Sequence, residues 1–367
     1  MAHDYARAMD FISGRPGGTL IWNFGSFTRD CFTDVCGPNP TQEQRAAFML
    51  RMGNTYLWQG VSPYREAYEG VETRRFADGA EEVTEWRCAE GVLTERRREG
   101  QVVKFRIASG ADLRVFGAME ARLRITADAK AHEEARRVAA GGPYGLPRQP
   151  LALMGEVSPV QRFLQIDCGV ENFYALDADH PELMKETLDL MQANQRRRYA
   201  VMETFDCDVW FQGENTSTTL ISPRYYERYS LPQIADFADA AHRAGKRAIV
   251  HMCGLLRGLL PLLRRTGMDG IHSLTPPPVG DTTVEEAYAA MPADCSILAR
   301  INTGHWLNRS ADEIGIELRR LFPARHFRAH PLAIWVTFDS VPRIPRAAFD
   351  YLHEALLRYA EETANRT

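Results

Sequence analysis

No glycine-rich phosphate loop, Gly-x-Gly-x-x-Gly fingerprint, Gly-x-Ser-x-Gly elbow or His-Glu-x-x-His pair occurs in this chain. Their absence removes sequence support for nucleotide binding, serine hydrolysis and zincin-type proteolysis. Excess charge of one sign is missing too. The 44 Lys and Arg against 48 Asp and Glu leave a net charge of -4 over 367 residues, with no field to hold nucleic acid or anionic lipid. Short basic clusters, such as Arg74-Arg75, Arg96-Arg97-Arg98 and Arg196-Arg197-Arg198, have acids beside them and read as solvated faces. No apolar run approaches the roughly 20 residues of a membrane helix, and Met1-Ala2-His3-Asp4-Tyr5 opens without an apolar signal core. A cytoplasmic protein with reduced thiols is expected. Seven cysteines, odd in number and scattered, make no disulfide framework. The Asn-x-Ser/Thr matches at Asn215 and Asn308 accordingly carry no glycosylation meaning.

What is present is an ordinary globular composition, 45% hydrophobic and 25% charged, with clear strand–helix alternation from residue 150 onward. Apolar runs at 150–155, 207–212, 247–250, 268–274, 296–302 and 333–338 read as strands. Between them lie helix signals. Asp179 is placed to cap a helix with Pro181 in its first turn, Ser222-Pro223 starts another that ends at Gly245, and residues 255–265 form one stopped by Gly267. Helix 284–291 follows, then Ser310 and Glu313 make a capping box, and a last amphipathic helix follows Pro345.

Residues 21–24 offer a first strand, and one more at 102–107 or 113–116 brings the count to eight. Repeated βα units imply a parallel sheet, doubly wound or closed. Eight units in this length fit a (β/α)8 TIM barrel, an α/β fold, better. Residues 72–107 differ: charged, alternating, with turn signals at Asp78-Gly79 and Glu90-Gly91. They read as a β-meander packed on the barrel, an insertion within one domain spanning 1–367.

A barrel places its site at the carboxyl ends of its strands. Those ends carry Glu156, Glu214 with Asn215, His251 with Cys253, Ser273 with Thr275, Asn302 and Asp339. Any one of them could be polar merely because strand ends meet water; the set at one mouth points to a site. His251 and Cys253 stand out. Residues two apart on a strand share a face, so an imidazole and a sulfur lie side by side, a pairing suited to zinc. Cys207 and Cys295 begin their strands and belong to the opposite mouth. Cys31 and Cys36 follow the first strand toward the correct mouth, and read as loop or packing cysteines. The loop Thr275-Pro276-Pro277-Pro278-Val279-Gly280-Asp281, stiffened by three prolines, either lines the mouth or serves as a rigid connector before a helix.

His251-Met252-Cys253-Gly254, Gly267-Met268-Asp269-Gly270, Gly213-Glu214-Asn215, Gly169-Val170-Glu171-Asn172 and Val341-Pro342-Arg343-Ile344-Pro345 together resemble the uroporphyrinogen decarboxylase superfamily, over roughly residues 150–360. The resemblance implies the same barrel. Its decarboxylase branch is metal-free and uses an N-terminal Arg-Gln-Ala-Gly-type segment, where this chain has Ile21-Trp22-Asn23-Phe24-Gly25. Its cobalamin-dependent methyltransferase branch binds zinc through His-x-Cys and a later cysteine, and this chain is closer to that branch. His251 and Cys253 match the first two ligands, and Asp339 stands where the later cysteine would fall. Asp339 is therefore the expected third metal ligand.

The resemblance implies a zinc-dependent methyltransferase that moves a methyl group between a small methylated substrate or thiol and a corrinoid. Glu214 is expected as a further ligand or a proton donor or acceptor, and Asn302 as an orienting group. Glu156, Asn215, Ser273 and Thr275 are expected to line the substrate. With no Asp-x-His-x-x-Gly cobalamin signature, the corrinoid is expected on a separate partner protein; the likeness also fits a homodimer. Two other readings stay open: a metal-free decarboxylase of a porphyrinogen-like polycarboxylate, for which Arg300 would face the mouth, and a catalytically silent ligand-binding barrel.

Overall fold

Short apolar runs, buried on both sides, are what a parallel strand needs, and most of the barrel strands here are such runs. In the computed structural model, which describes residues 5–25, 29–141, 145–337 and 343–365, the helix Tyr5–Ile12 precedes the first barrel strands, β1 (Trp22–Gly25) and β2 (Gln59–Val61). It leaves the barrel through antiparallel β3 (Tyr64–Tyr68), β4 (Glu72–Asp78), β5 (Glu81–Cys88), β6 (Gly91–Arg98), β7 (Gln101–Lys104) and β8 (Leu123–Ala127). It then returns through β9 (Leu151–Gly155), β10 (Val209–Gly213), β11 (Arg247–His251), β12 (Gly270–Leu274), β13 (Ser296–Asn302) and β14 (Leu332–Thr337).

Eight strands form one parallel sheet in the order β1-β14-β13-β12-β11-β10-β9-β2, with helices packed around it. At the seam, the Trp22 carbonyl accepts from Thr55 N at 2.8 Å and Asn23 Nδ2 donates to the Thr55 carbonyl at 2.9 Å. This is a (β/α)8 barrel carrying the expected meander, which has four strands, β4 to β7.

The second barrel strand departs from expectation. It is β2, three residues long, whereas 102–104 belongs to the meander and 113–116 lies in the helix Gly110–Glu120. Asp179 ends the helix Val170–Asp179, and His180 stands at the N-cap of Pro181–Met202. The 255–265 stretch is three short helical pieces. The Ser310–Glu313 capping box forms as expected. Among the described residues no helix is long and apolar enough to cross a membrane.

Strand alternation separates two cores. Trp210, Ala248, Val250, Ile271, Ile297 and Ile334 face the helices. Val209, Phe211, Ile249, Leu298, Ala333 and Trp335 face the lumen, together with Ala8, Phe11 and Ile12 of the helix Tyr5–Ile12. That helix fills the amino-terminal end of the barrel, where the Phe11 carbonyl accepts from Ser296 Oγ.

The meander docks through charge as well as apolar contact. Arg106 pairs with Asp167, and Arg162 lies 3.0 Å from both Asp167 and Glu120. Tyr68 Oη and Asn194 Nδ2 donate to Glu120 at 2.6 and 3.0 Å. The Arg106 guanidinium sits 4.9 Å from the Trp86 ring centre and 5.0 Å from that of Phe116. Every residue of edge strand β4 is exposed, and its charged residues guard it against pairing with another chain.

Candidate active site

With Ile249 in the lumen, the two-residue period of β11 turns His251 to the same side at the carboxyl mouth. Its partner in register on β12 is His272, and their Nδ1 atoms lie 2.6 Å apart. Three aromatic rings enclose His272: Trp335 at 4.3 Å, Phe211 at 5.1 Å and Trp58 at 5.8 Å between ring centres. Trp335 also meets His251 edge-on at 5.7 Å. Gly25 makes room for this indole, since a Cβ there would lie 2.1 Å from Trp335 Nε1. Burial, helped by the charge of Arg300, pushes the His251 imidazole down to about 4 and His272 well below its ordinary range. A 2.6 Å separation leaves room for one proton between the two Nδ1 atoms.

Cys253 follows β11, and its Sγ donates to Asn215 Oδ1 at 3.3 Å. Asn215 adopts a left-handed φ of +48°, its N–H and that of Glu214 both donating to the His251 carbonyl at 3.0 Å. Asn215 Nδ2 donates to Gln165 Oε1 at 3.1 Å, and Gln165 Nε2 to the Glu214 carbonyl at 3.0 Å. Gly254 has φ +127°, and a Cβ there would sit 2.7 Å from Ser217 Oγ, so a side chain after Cys253 would be strained twice over. Burial raises the Cys253 thiol above its ordinary value, and the Arg300 charge opposes that rise. Arg300 lies in lumen phase with Leu298 and donates from Nε to Thr337 Oγ1 at 3.1 Å.

The other expected residues sort by position. Glu214 is 1% exposed and lies behind β10. Its carboxylate accepts from Ser158 N at 2.6 Å, Ser158 Oγ at 2.8 Å and Gln212 Nε2 at 2.7 Å, and burial lifts it to about 7. Asn302 accepts from Gly304 N at 3.0 Å. It lines, with Thr275, Arg300, Trp306 and the three prolines, a cleft of about 110 Å³. Ser273 is fully buried in a β-bulge with φ +76°, and its carbonyl accepts from Thr275 Oγ1 at 2.9 Å. Glu156 is exposed beyond the end of β9. Cys31 is buried in the outer core, and Cys36 Sγ donates to the Gln44 carbonyl.

Cys253 and Asn215 therefore meet through their side chains, Asn215 N–H binds the His251 carbonyl, and the His251 imidazole meets His272; Glu214 and Glu156 do not join them. Among the described residues no three His, Cys, Asp or Glu side chains gather to hold a metal; Asp339 and Val341-Pro342 lie outside the described residues. Sequence reasoning missed His272, Gln165 and Trp335. His272 alone had a readable signal, since Gly270-Ile271-His272 ends a strand in the same phase as His251.

The model for the uroporphyrinogen decarboxylase (URO-D) family matches residues 157–355, more than half of the chain. This chain belongs to the uroporphyrinogen decarboxylase family. The matched stretch of this URO-D family member contains β10 to β14 and hence His251, Cys253, His272 and Arg300. A solved methyltransferase from Methanosarcina mazei shares the fold at a TM-score of 0.60 and 13% identity, over 99% of each chain. No curated protein sequence matches this chain.

Proposed function

We propose that this URO-D family member is a methyltransferase that uses a zinc ion at the barrel mouth and exchanges methyl groups with a corrinoid carried by a separate protein. The observation that carries this reading is the His251 imidazole at the carboxyl end of β11, in the lumen phase of Ile249, with the Cys253 sulfur two residues further on against Asn215. These are donor types that zinc accepts. His251 and Cys253 would hold the ion, with Asp339 proposed as the third ligand. Zinc bound there would supply Lewis acidity, lowering a thiol's pKa or polarising a methyl ether oxygen.

The chain's own residues do the rest. Arg300 places positive charge near the Cys253 sulfur and favours its thiolate form. Asn215 holds that sulfur at the mouth. Trp58, Phe211 and Trp335 keep water from the imidazoles, and Thr275 and Asn302 line the cleft where a small methylated substrate or thiol would sit. Glu214 acts from behind β10, fixing Ser158 against the strand end. Purified protein should retain zinc in proportion to chain, His251→Ala should lose it, and the parent should methylate cob(I)alamin from a methylated small molecule. Absence of zinc together with unchanged behaviour of His251→Ala would remove this mechanism.

Arg300 in the lumen favours a second reading, metal-free decarboxylation of a polycarboxylate. Turnover of uroporphyrinogen by metal-stripped protein would select it.

A further inference from the structure

We propose that His272 is a positioning residue for His251: by accepting a hydrogen bond at Nδ1 it holds His251 as the Nδ1–H tautomer, with the Nε2 lone pair turned to the lumen. The consequence for metal affinity rests on the zinc reading above, whereas the tautomer rests on geometry alone.

The 2.6 Å contact joins Nδ1 to Nδ1, so the tip nitrogen of His251 is not consumed by it. One proton lies between the rings, and two arrangements are open. If His272 donated, His251 would present an Nε2–H on its far side, with the Arg300 guanidinium nearby, 6.0 Å from the Trp335 ring that packs against both imidazoles. His272 would then keep an unused lone pair within an enclosure of the Trp335, Phe211 and Trp58 rings. If His251 donates, both conflicts vanish: a lone pair faces the lumen and the second N–H of His272 lies among π-systems.

The backbone is built to keep His272 there. The strand register shifts immediately after it, and Ser273 takes φ +76°, a costly conformation for a non-glycine residue. Ser273 Oγ is buried without a hydrogen-bond partner. A bulge of this kind re-aims a neighbouring side chain. The arrangement follows the general pattern in which a ligating histidine donates its other N–H to an outer partner, with a neutral imidazole as that partner.

Long-range ¹⁵N–¹H spectra of metal-free protein, with the His251 signal identified by its loss in His251→Ala, test the tautomer directly. Nδ1–H in the parent and a move to Nε2–H in His272→Phe are expected, with His272→Asn, which retains an acceptor, staying near the parent. An Nε2–H His251 in the parent overturns the proposal without any variant. Zinc affinity, read by chelator competition, should fall about 10- to 100-fold in His272→Phe and recover most of that loss in His272→Asn. Unchanged affinity in folded His272→Phe also overturns it. If the parent binds no zinc, the metal reading fails and the tautomer alone decides the role of His272.

Discussion

Beside the meander, Arg106, Arg162, Asp167 and Glu120 neutralise one another inside the protein. At the barrel mouth, His251, His272 and Cys253 are instead kept neutral beside Arg300. Burial penalises charge in both places. In the flank, close opposite charges overcome the penalty: Glu120 is held below the ordinary carboxylate range despite its burial, and Arg162 well above its own. At the mouth, burial wins and the groups give up their charge. Groups matched to each other have nothing left for a ligand, whereas dry, uncharged nitrogen and sulfur donors do. The flank is built for attachment and the mouth for binding.

The contrast breaks most sharply at Asp167. Asp167→Ala strands the buried Arg106 guanidinium and leaves Arg162 with Glu120 alone, and urea unfolding should show a loss of about 3–5 kcal/mol; a loss near zero would mean the flank charges are hydrated after all. A buried carboxyl without a cation tests the opposite case. Glu214 is held at about 7 against an ordinary 4.5, so the folded state binds a proton that the unfolded chain releases. Its contribution is fully present below about pH 4.5 and is lost as pH rises through about 7. Glu214→Gln should remove this slope and be more stable than the parent by about 3 kcal/mol at pH 8, as chemical unfolding across pH would reveal. The smallest effect is at Trp86. Trp86→Leu removes the ring beside Arg106 and should cost about 1–2 kcal/mol, visible as a modest drop in melting temperature.

The strands after residue 150 were legible because each is a contiguous apolar run with helix signals between. β2 was not, since Gln59-Gly60-Val61 is short and half polar and owes its place to pairing with β9. His251 and Cys253 were readable because they share one strand. His272 looked like one more residue of a buried strand until register set it opposite His251. Glu214, placed by its strand end, proved to face the helices, because one step along a strand reverses a side chain. The flank network was hidden for another reason: its members come from segments far apart in the chain, and nothing local marks them as partners.

The helix Tyr5–Ile12 makes the barrel a blind cup by filling its far end. Among the described residues, that leaves the carboxyl mouth as the side from which the imidazoles are approached. On the proposed chemistry, a carrier protein large enough to sit over that mouth also shuts in whatever small molecule lies beneath. Turnover then becomes a queue in which loading, covering, reaction and release take strict turns.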